Sequence, residues 1–597
     1  MTYCNRMKIQ MLFQWKINFS AALLGIFLAA TPEGRASDPR TNSWFTTYAG
    51  KYARIYTSDA NKTNGTAATT WATGGTAQAV PVYCGVQEIY SSSNWVYIRS
   101  SGLGSHVMGP WYLNAAHTQA FPNYPTNEHV LYKISRTPVV PGTKTANGGG
   151  PIGYFVDGVA MFNSWDAYTY NSASGAEAQN TTGYWNRDAY VNEGASFDPN
   201  NAHQAGGQHH YHVNPPGLRY LLGDHVEFNS TSKAYTETVA APTKHSPILG
   251  WVADGFPIYG PYGYSVSNNA ASGVRRMVSG CVLRNGQFGS QNLALASVGR
   301  TNLPQWAVRL YGVVSNSAVG PAVSTTYPLG RYLEDYDWLG DLGYTSGTNT
   351  FDLDEYNGRW CVTPEFPGGT YAYFVSISSN GTPIFPYNIG RGYYGSPTAA
   401  NVTSIGENVA TNFLGASNAV PLLNAPTAKN GAVTLTWSAV EGGAYMVQST
   451  TNFSAWTTNA TGVSAVQSAA SYTNSFTNNY AFYRVARTAL AAYDSPGSGG
   501  GTSGTTYNAV APGGTAARGT TVTVAITISA PPNLPPANAP ITSVTLAGSI
   551  VGSNVSYATQ GTVMATFVIP ANAPTGLQNI VVQFSVPSYT VSGLTLN

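Results

Sequence analysis

The sequence predicts an all-β protein, and its composition is the first reason. Among 597 residues there are 64 Gly, 36 Pro and 40 Tyr, while only 9% of residues are charged. Helical bundles depend on Ala, Glu, Lys, Leu and Arg, so this composition argues against them. The second reason is the period-two alternation of residues 520–528, which is typical of half-buried strands. The third is the presence of Asp-Gly and Asn-Gly pairs between apolar runs, because these pairs tolerate the positive φ of a hairpin turn.

The charge balance excludes one large class of partners. The chain has 28 Lys and Arg against 26 Asp and Glu, a net charge of +2. A nucleic-acid binder that relies on phosphate contacts carries a basic patch, and the sequence gives no sign of one. We therefore expect no nucleic-acid partner.

The first 37 residues have the features of a secretory signal peptide. Three basic residues, Arg6, Lys8 and Lys16, precede the apolar run 19–30, and small residues follow at Gly34 and Ala36. The apolar run is shorter than the roughly 20 residues that span a bilayer, and no later segment reaches that length. We expect an exported protein, secreted, periplasmic or on the cell surface, without a membrane span.

Composition shifts divide the rest of the chain into several domains, as its length also predicts. We expect a large β-rich domain over 38–418, a fibronectin type III-like module over 421–488, a Gly/Ser-rich linker over 489–506 and an immunoglobulin-like β-sandwich over 507–597. All nine His precede residue 246, and Arg518 is the only charged residue after Tyr507. Since proton transfer and metal binding need titratable groups, any chemistry belongs to the large domain.

A recurrence inside the large region predicts repeated hairpins. Residues 153–162 align with residues 250–259, and both contain the frame Gly-x-x-x-Asp-Gly between two apolar runs. A partial third copy, residues 380–385, has Asn-Gly at the turn. Each copy reads as strand, tight turn and strand, so we interpret the recurrence as a structural repeat.

The cysteines indicate neither a disulfide framework nor a zinc-finger site. Cys84, Cys281 and Cys361 allow at most one disulfide, and their spacing matches no zinc-finger pattern. We expect one disulfide or none.

The best candidate site is the segment Gln208-His-His-Tyr-His212. Successive side chains of a strand alternate between faces, so His210 and His212 point the same way and His209 and Tyr211 point the other way. Two imidazoles on one face, completed by a third ligand, can bind a transition metal and leave a position for water. The candidates for the third ligand are His203, His225, His245, Asp224 and Glu227, of which we favour His245 or His225. Other residues expected to support the ligands by hydrogen bonding are His203, His209, Tyr211, Asp224 and Asp254.

At this segment the sequence resembles the YHYH proteins, a family named for a Tyr-His-Tyr-His motif. The resemblance covers about residues 80–390 and includes Val86–Tyr90, Asn94–Arg99, Met108–Trp111, Pro151–Gly153, Asp157–Gly158, His245–Gly263, Tyr356–Glu365 and Gly369–Phe374. The first Tyr of the tetrad is replaced by His209, and its other members are His210, Tyr211 and His212. The resemblance implies a shared fold but no established activity. The appended C-terminal modules resemble those of exported bacterial proteins.

Acidic pairs with Asp-x-Asp spacing suggest a second, weaker possibility. Asp335, Asp337, Asp352 and Asp354 lie in loop-like sequence, where carboxylates bind Ca²⁺ or are simply solvated. No EF-hand pattern is present, and the signatures of serine hydrolases, zincins, P-loop proteins and dinucleotide-binding proteins are also missing.

Two functional hypotheses follow from the sequence. In the first, the large domain binds Cu or Zn through its His cluster, with catalysis undecided. In the second, the protein is a non-enzymatic adhesion or carbohydrate-binding protein, in which the His cluster is structural and the ligand is a glycan or other small molecule. The identity of the metal, the substrate and the oligomeric state lie beyond the sequence.

Overall fold

The computed structural model of the chain describes most of residues 38–597. The gaps are residues 180, 348–349, 430, 452–454, 467, 476–480, 496–506, 511–514, 517, 528–540, 547–549, 560–561, 574–575, 585–587 and 597. Strands dominate, so the all-β prediction is confirmed. The predicted signal peptide, residues 1–37, lies outside the described residues.

The α-helices of the described residues are short. They are α1 (Pro39–Asn42), α2 (Asp59–Asn64), α3 (Ala189–Glu193), α4 (Pro216–Leu221) and α5 (Gln305–Tyr311). In this part of the chain no helix has the length and apolar character that a membrane span requires. The helices connect and cover sheets.

An eight-stranded sheet forms the centre of the large region. Its strands in chain order are β1 (Gly153–Phe155), β2 (Ala160–Met161), β3 (Ala202–Ala205), β4 (Gln208–Tyr211), β5 (Ile248–Val252), β6 (Pro257–Tyr259), β7 (Gly358–Cys361) and β8 (Thr370–Phe374). Their spatial order is β3-β4-β2-β1-β5-β6-β8-β7. Both faces of β5 and β8 are buried, which explains why these strands are continuous apolar runs rather than alternating ones.

The recurrence in the sequence is a structural repeat of this sheet. β1 and β5 pair antiparallel with Tyr154 opposite Trp251, and these two residues occupy the same position in the two copies. Each copy then turns at its Asp-Gly pair, where Gly158 and Gly255 have positive φ. Beyond the turns, β2 pairs parallel with β4 and β6 pairs parallel with β8. The two halves of the sheet are therefore related by a local two-fold axis between β1 and β5.

Smaller sheets surround the central one. A five-stranded sheet has the order Ala400–Asn401, Val130–Ser135, Trp95–Ser100, Val86–Ser91 and Ala410–Leu414. A three-stranded sheet has the order Ala176–Gln179, Trp165–Asn171 and Trp185–Asp188. The two-stranded sheets pair Arg54–Ile55 with Val107–Met108, Trp71–Thr73 with Thr76–Gln78, Val226–Asn229 with Ala234–Glu237, Tyr262–Val266 with Asn269–Arg276, and Cys281–Leu283 with Tyr336–Trp338.

Burial of apolar side chains stabilises this region. The main core lies on the central sheet around Tyr154, Trp251 and Phe374, and a second core lies around Trp185 and Trp306. Cys84, Cys281 and Cys361 are all free thiols. Within the described residues the fold thus depends on burial and hydrogen bonds and not on disulfides.

The C-terminal part consists of two further β units. In the first, a sheet of Thr427–Lys429, Ala432–Ser438 and Ala469–Ser475 packs on a sheet of Thr457–Ser464, Gly443–Thr450 and Phe482–Leu490. The second is a nine-stranded array of Tyr507–Val510, Thr515–Ala516, Thr521–Thr527, Ile541–Leu546, Ile550–Val551, Ser553–Thr559, Thr562–Val568, Gly576–Phe584 and Ser588–Leu596.

The first C-terminal unit is attached to the large region by specific polar contacts. Glu441 forms an ion pair with Arg54 and accepts a hydrogen bond from the backbone N–H of Tyr52. The predicted linker 489–506 begins inside the last strand of this unit, and the Asp494 carboxylate accepts a hydrogen bond from Gln78. Residues 496–506 of the predicted linker lie outside the described residues.

Candidate metal centre

Two neighbouring strands bring three histidines together on one face. β3 and β4 form an antiparallel hairpin in which His203 lies directly opposite His210. Strand alternation places His212, just beyond β4, on the same side as His210. The hairpin turns at Gly206, whose positive φ suits glycine, and this turn sets the register that selects His203.

The three side chains form a compact, buried cluster, called the front cluster below. The Nε2 atoms of His210 and His212 are 3.1 Å apart. One ring nitrogen from each of His203, His210 and His212 lies within 4.8 Å of the others, and all three residues are buried. Zn–N bonds are close to 2 Å, so a tetrahedral ion separates its ligands by about 3.4 Å, and the cluster is near that size.

Hydrogen bonds at Nδ1 define how the three rings are oriented. The Nδ1 atom of His210 lies 3.0 Å from the carbonyl oxygen of Gln208, and Nδ1 of His212 lies 2.6 Å from that of Asn163. A carbonyl oxygen only accepts, so in a neutral imidazole Nδ1 carries the proton and Nε2 carries the lone pair. Both Nε2 lone pairs therefore face each other across 3.1 Å.

His203 follows the same pattern. Its Nδ1 lies 2.8 Å from Oγ of Ser196, and that hydroxyl already donates its proton to the carbonyl oxygen of Glu193. The Nδ1 of His203 is then the donor, and its Nε2 is the free acceptor. None of the three imidazoles thus has a proton on Nε2, and three lone pairs are available as the donor set that a transition metal requires.

Aromatic packing holds the rings in place. The ring of Phe162 stacks on His210 at a centroid distance of 3.8 Å and meets His212 edge-on. Phe197 contacts both His203 and His212 from the other side. Since Phe162 is the last residue of the first repeat copy, the repeat contributes a wall of the site.

Burial keeps the imidazoles neutral at pH 7. It lowers the pKa of His212 to about 4, although the hydrogen bond to Asn163 opposes the shift. It also lowers the pKa values of His203 and His210 well below the usual range, and repulsion from the neighbouring imidazoles adds to the effect. The neutral ring is the form that binds a metal.

Glu193 adds a carboxylate at the edge of the front cluster. Its Oε2 lies 3.4 Å from Nε2 of His212 and 3.6 Å from Nε2 of His203. Its side chain is 28% exposed. Burial, and then the negative charge of Asp166, raise the pKa of this carboxyl to about 8. A carboxyl with that pKa carries a proton that it loses readily when a cation arrives.

Helix α3 positions Glu193. The helix directly follows the strand Trp185–Asp188, and its N-cap is Asp188, whose carboxylate accepts a hydrogen bond from the backbone N–H of Val191. The other carboxylate oxygen of Asp188 accepts a hydrogen bond from the Tyr387 hydroxyl at 2.8 Å. The buried cap fixes the short helix, and with it the carboxylate of Glu193.

Because the Asp188 carboxyl is buried, we expect the free energy of unfolding to depend on pH. Burial raises the pKa of Asp188 from 3.8 to about 7, so the folded state keeps a proton that the unfolded state releases. The contribution of Asp188 to the free energy of unfolding is fully present below pH 3.8 and is lost as the pH rises to about 7. Relative to Asp188→Asn, we expect the parent to lose on the order of 1 kcal/mol per pH unit in this window, measured by urea unfolding. A difference between the two proteins that does not change with pH would contradict this assignment.

A cleft opens onto the front cluster from outside. Its volume is about 370 Å³, and its lining includes all three histidines, Glu193 and Trp165. An ion at the three histidines would therefore be accessible to a small ligand, as a metal with an open coordination position is.

The reverse face of β4 bears a different group. His209 and Tyr211 point there, as strand alternation predicts, and both are fully buried. The Tyr211 hydroxyl donates a hydrogen bond to Asp157 at 3.1 Å. His106 and Asp198 complete this second group, whose three ligand atoms with His209 also lie within 4.8 Å of one another.

The other residues expected near the metal lie elsewhere. His225 and His245 border a separate cleft, where His225 contacts the carbonyl oxygen of Ala240 and His245 that of Ser246. The preference for His245 or His225 as the third ligand thus does not match the geometry, because the hairpin register brings His203 to the pair instead. Asp224 forms an ion pair with Arg219, and Asp254 accepts a hydrogen bond from the Tyr373 hydroxyl.

The acidic residues considered for Ca²⁺ are held by protein donors. Asp335 pairs with Arg300 and Asp352 with Arg275, each with contacts of 2.6 Å. Asp337 lies 3.7 Å from Arg284, and Asp354 accepts from the hydroxyl of Tyr371. Among the described residues these four carboxylates form no cluster of metal size.

The sequence ranked one member of the candidate site too low and missed another. His203 was among the candidates for the third ligand and was also expected to support the ligands, but His245 or His225 was favoured, although a short hairpin makes direct contact between His203 and His210 possible. Glu193 was not singled out at all, because it lies on a separate helix and no spacing in the sequence connects it to the histidines.

One of three comparisons with known proteins agrees with the resemblance seen in the sequence. The sequence has no significant match among curated proteins. A solved structure titled "FdeC, a Novel Broadly Conserved Escherichia coli Adhesin Eliciting Protection against Urinary Tract Infections" is similar at 13% identity, over 32% of this chain and 69% of that chain. Its TM-score is 0.14, and a similarity at that level carries no structural inference. A family model described as "YHYH protein" matches residues 131–385, a segment that contains the whole front cluster, and this match supports the YHYH family for this region of the chain.

Proposed function

We propose that the large domain binds one transition-metal ion, copper or zinc, through Nε2 of His203, His210 and His212. The observation that carries the proposal is the fixed orientation of the rings. Each Nδ1 faces an acceptor, so three lone pairs point at one another in a buried space. Such an arrangement is unfavourable when empty and favourable around a cation.

The cleft suggests that the proposed ion exchanges ligands. Three protein nitrogens leave a tetrahedral ion with one open position, and the front cluster faces a cleft of about 370 Å³. A bound ion would supply a Lewis acid or, if it is copper, a redox centre. Glu193 borders the same space and can accept or donate a proton there.

Elemental analysis tests the proposal. The protein is purified without a histidine tag and loaded with Zn²⁺ or Cu²⁺, beside a His210→Ala/His212→Ala variant treated in the same way. We expect the variant to hold about one equivalent less metal than the parent. Equal metal contents in two folded proteins would contradict the proposal and leave the histidines with a structural role.

The variant Glu193→Gln tests whether the Glu193 carboxylate contributes to metal affinity. We expect the variant to keep its metal at saturation but to bind it about 10–100-fold more weakly, because the change removes a negative charge next to the ion. The affinity is measured by competition with a chromophoric chelator. Glu227→Gln is the matched control, since Glu227 is exposed and lies outside the cleft. An unchanged affinity for Glu193→Gln would show that this carboxylate does not act on the ion.

We also propose that the protein is exported and that the two C-terminal units are fibronectin type III-like and immunoglobulin-like modules. The supporting observations are the signal-like residues 1–37 and the alternating strands after residue 420. N-terminal sequencing of the exported protein tests the first point, and we expect the mature chain to begin near Ser37 or Asp38. A mature chain that still contains the apolar run 19–30 would contradict it.

A further inference from the structure

The reverse face of β4 has a second histidine group, called the rear cluster below. It consists of His106, Asp198 and His209, and one ligand atom from each lies within 4.8 Å of the others. The three residues come from separate segments: the loop before Val107–Met108, the turn that leads into β3, and β4 itself. The rear cluster and the front cluster share no residue.

Three of the four ring nitrogens of the rear-cluster histidines are buried without a hydrogen-bond partner. His209 is fully buried, and neither of its ring nitrogens has a partner. His106 is 7% exposed, and its Nε2 also has none. Buried polar groups are almost always satisfied, so three orphan nitrogens next to one carboxylate indicate a missing partner.

Asp198 is held rigidly beside these nitrogens. Its Oδ2 accepts a hydrogen bond from the backbone N–H of Gly109 at 2.7 Å, and its Oδ1 accepts from Asn200 and Ala202. A carboxylate has about four acceptor positions, so these three bonds leave one free. All three donors are neutral backbone amides, and among the described residues no direct ion pair neutralises the carboxylate, on which Lys62 acts only from a greater distance.

A second carboxylate lies on the same face. Asp157 accepts hydrogen bonds from the Tyr211 hydroxyl and the backbone N–H of Val159, which are again neutral donors. The Tyr211 hydroxyl also lies 3.4 Å from Nδ1 of His106, which connects Asp157 to the rear cluster. Two buried carboxylates balance the charge of one divalent cation.

We propose that His106, His209 and Asp198 form a second metal site that binds Zn²⁺. Two imidazoles and a carboxylate are common zinc ligands. The three ligand atoms now lie within 4.8 Å of one another, against roughly 3.4 Å in a tetrahedral site, and no hydrogen bond of the His209 ring has to break for this small adjustment.

The site is closed, in contrast to the front cluster. The rear histidines are not among the residues that line the 370 Å³ cleft, and the ring of His209 packs against Trp111 and Tyr211. Its three protein ligands do not complete a tetrahedron by themselves, but the site does not face the cleft, so we assign it a structural role rather than a catalytic one. It ties the loop at His106 and the turn at Asp198 to β4, the strand whose other face carries His210.

Zinc content and its resistance to a chelator test the inference, which does not depend on the proposed function. Zinc-loaded parent, His210→Ala/His212→Ala and His209→Gln proteins, all without a histidine tag, are analysed before and after treatment with EDTA. We expect about two equivalents in the parent and about one in each variant. The zinc that remains in His210→Ala/His212→Ala should resist EDTA and leave only on unfolding in guanidinium.

The outcomes separate the two sites. If the double variant holds no zinc, the rear cluster binds none and the inference is overturned. If the parent and the double variant both hold one equivalent and His209→Gln holds none, the rear site is real and the front site fails. His117→Gln, at an exposed histidine, is the control and should match the parent. The double variant decides the question even if His209→Gln does not fold, because its own rear cluster is unchanged.

Discussion

His203→Ala should weaken metal binding at the front cluster by more than about 100-fold. Loss of a residue that only orients a ligand costs 10–100-fold, and a direct ligand costs more. His203 supplies one of the three converging lone pairs, and the two remaining nitrogens cannot hold the ion in its place. The affinity is measured by competition with a chelator, after EDTA treatment and reloading of each protein.

His245→Ala and His225→Ala are the matched controls for this prediction. Both histidines border the other cleft, so we expect the affinity of each variant to equal that of the parent. The reverse result, with His203→Ala unchanged and His245→Ala weakened, would favour the ligand set expected from the sequence and would contradict the geometry of the hairpin.

Asp335→Ala should lower the free energy of unfolding by about 3–5 kcal/mol. Asp335 and Arg300 form a two-pronged ion pair in which both side chains are fully buried, with contacts of 2.6 and 2.8 Å. The other partners of Arg300 include the carbonyl oxygens of Pro321 and Pro328, which cannot neutralise its charge. Removal of the carboxylate therefore leaves a buried, uncompensated cation.

Asp341→Ala is the matched control for the buried pair. Asp341 contacts Arg309, whose side chain is 45% exposed, so water can solvate the guanidinium when the partner is removed. We expect a loss of less than about 1 kcal/mol. Urea unfolding followed by tryptophan fluorescence measures both variants. Equal losses would show that burial of the Arg300 pair does not determine its contribution.

The fold class and the repeat were predictable because both depend on local patterns. Asp157-Gly158 and Asp254-Gly255 marked the hairpin turns, and both glycines do have positive φ. The placement of His210 and His212 on one face needed only the alternation of a strand.

The symmetry between the two halves was not predictable. Tyr211 donates to Asp157 in one half, and Tyr373 donates to Asp254 at the equivalent place in the other. This equivalence appears only after β4 pairs with β2 and β8 pairs with β6, and both are long-range pairings. The histidines of the front cluster occur in one half alone, so the two copies form equivalent halves of the sheet but only one of them carries the candidate site.

The ligand set depends on contacts between distant segments. The sequence placed His203 near His210, but its direct role depends on a hairpin register set at Gly206. Glu193 reaches the site through a helix whose cap is buried under Tyr387, a residue almost two hundred positions away in the chain. A contact between residues so far apart in the chain, such as that of Tyr387 with Asp188, cannot be predicted from a local sequence pattern.

Diffraction at the absorption edge of the metal, on crystals soaked in Zn²⁺ or Cu²⁺, shows whether the front cluster binds an ion. We expect an anomalous peak about 2.0–2.1 Å from Nε2 of each of His203, His210 and His212. Crystals with no peak there, in which His210 and His212 share a proton through a direct hydrogen bond, would contradict it.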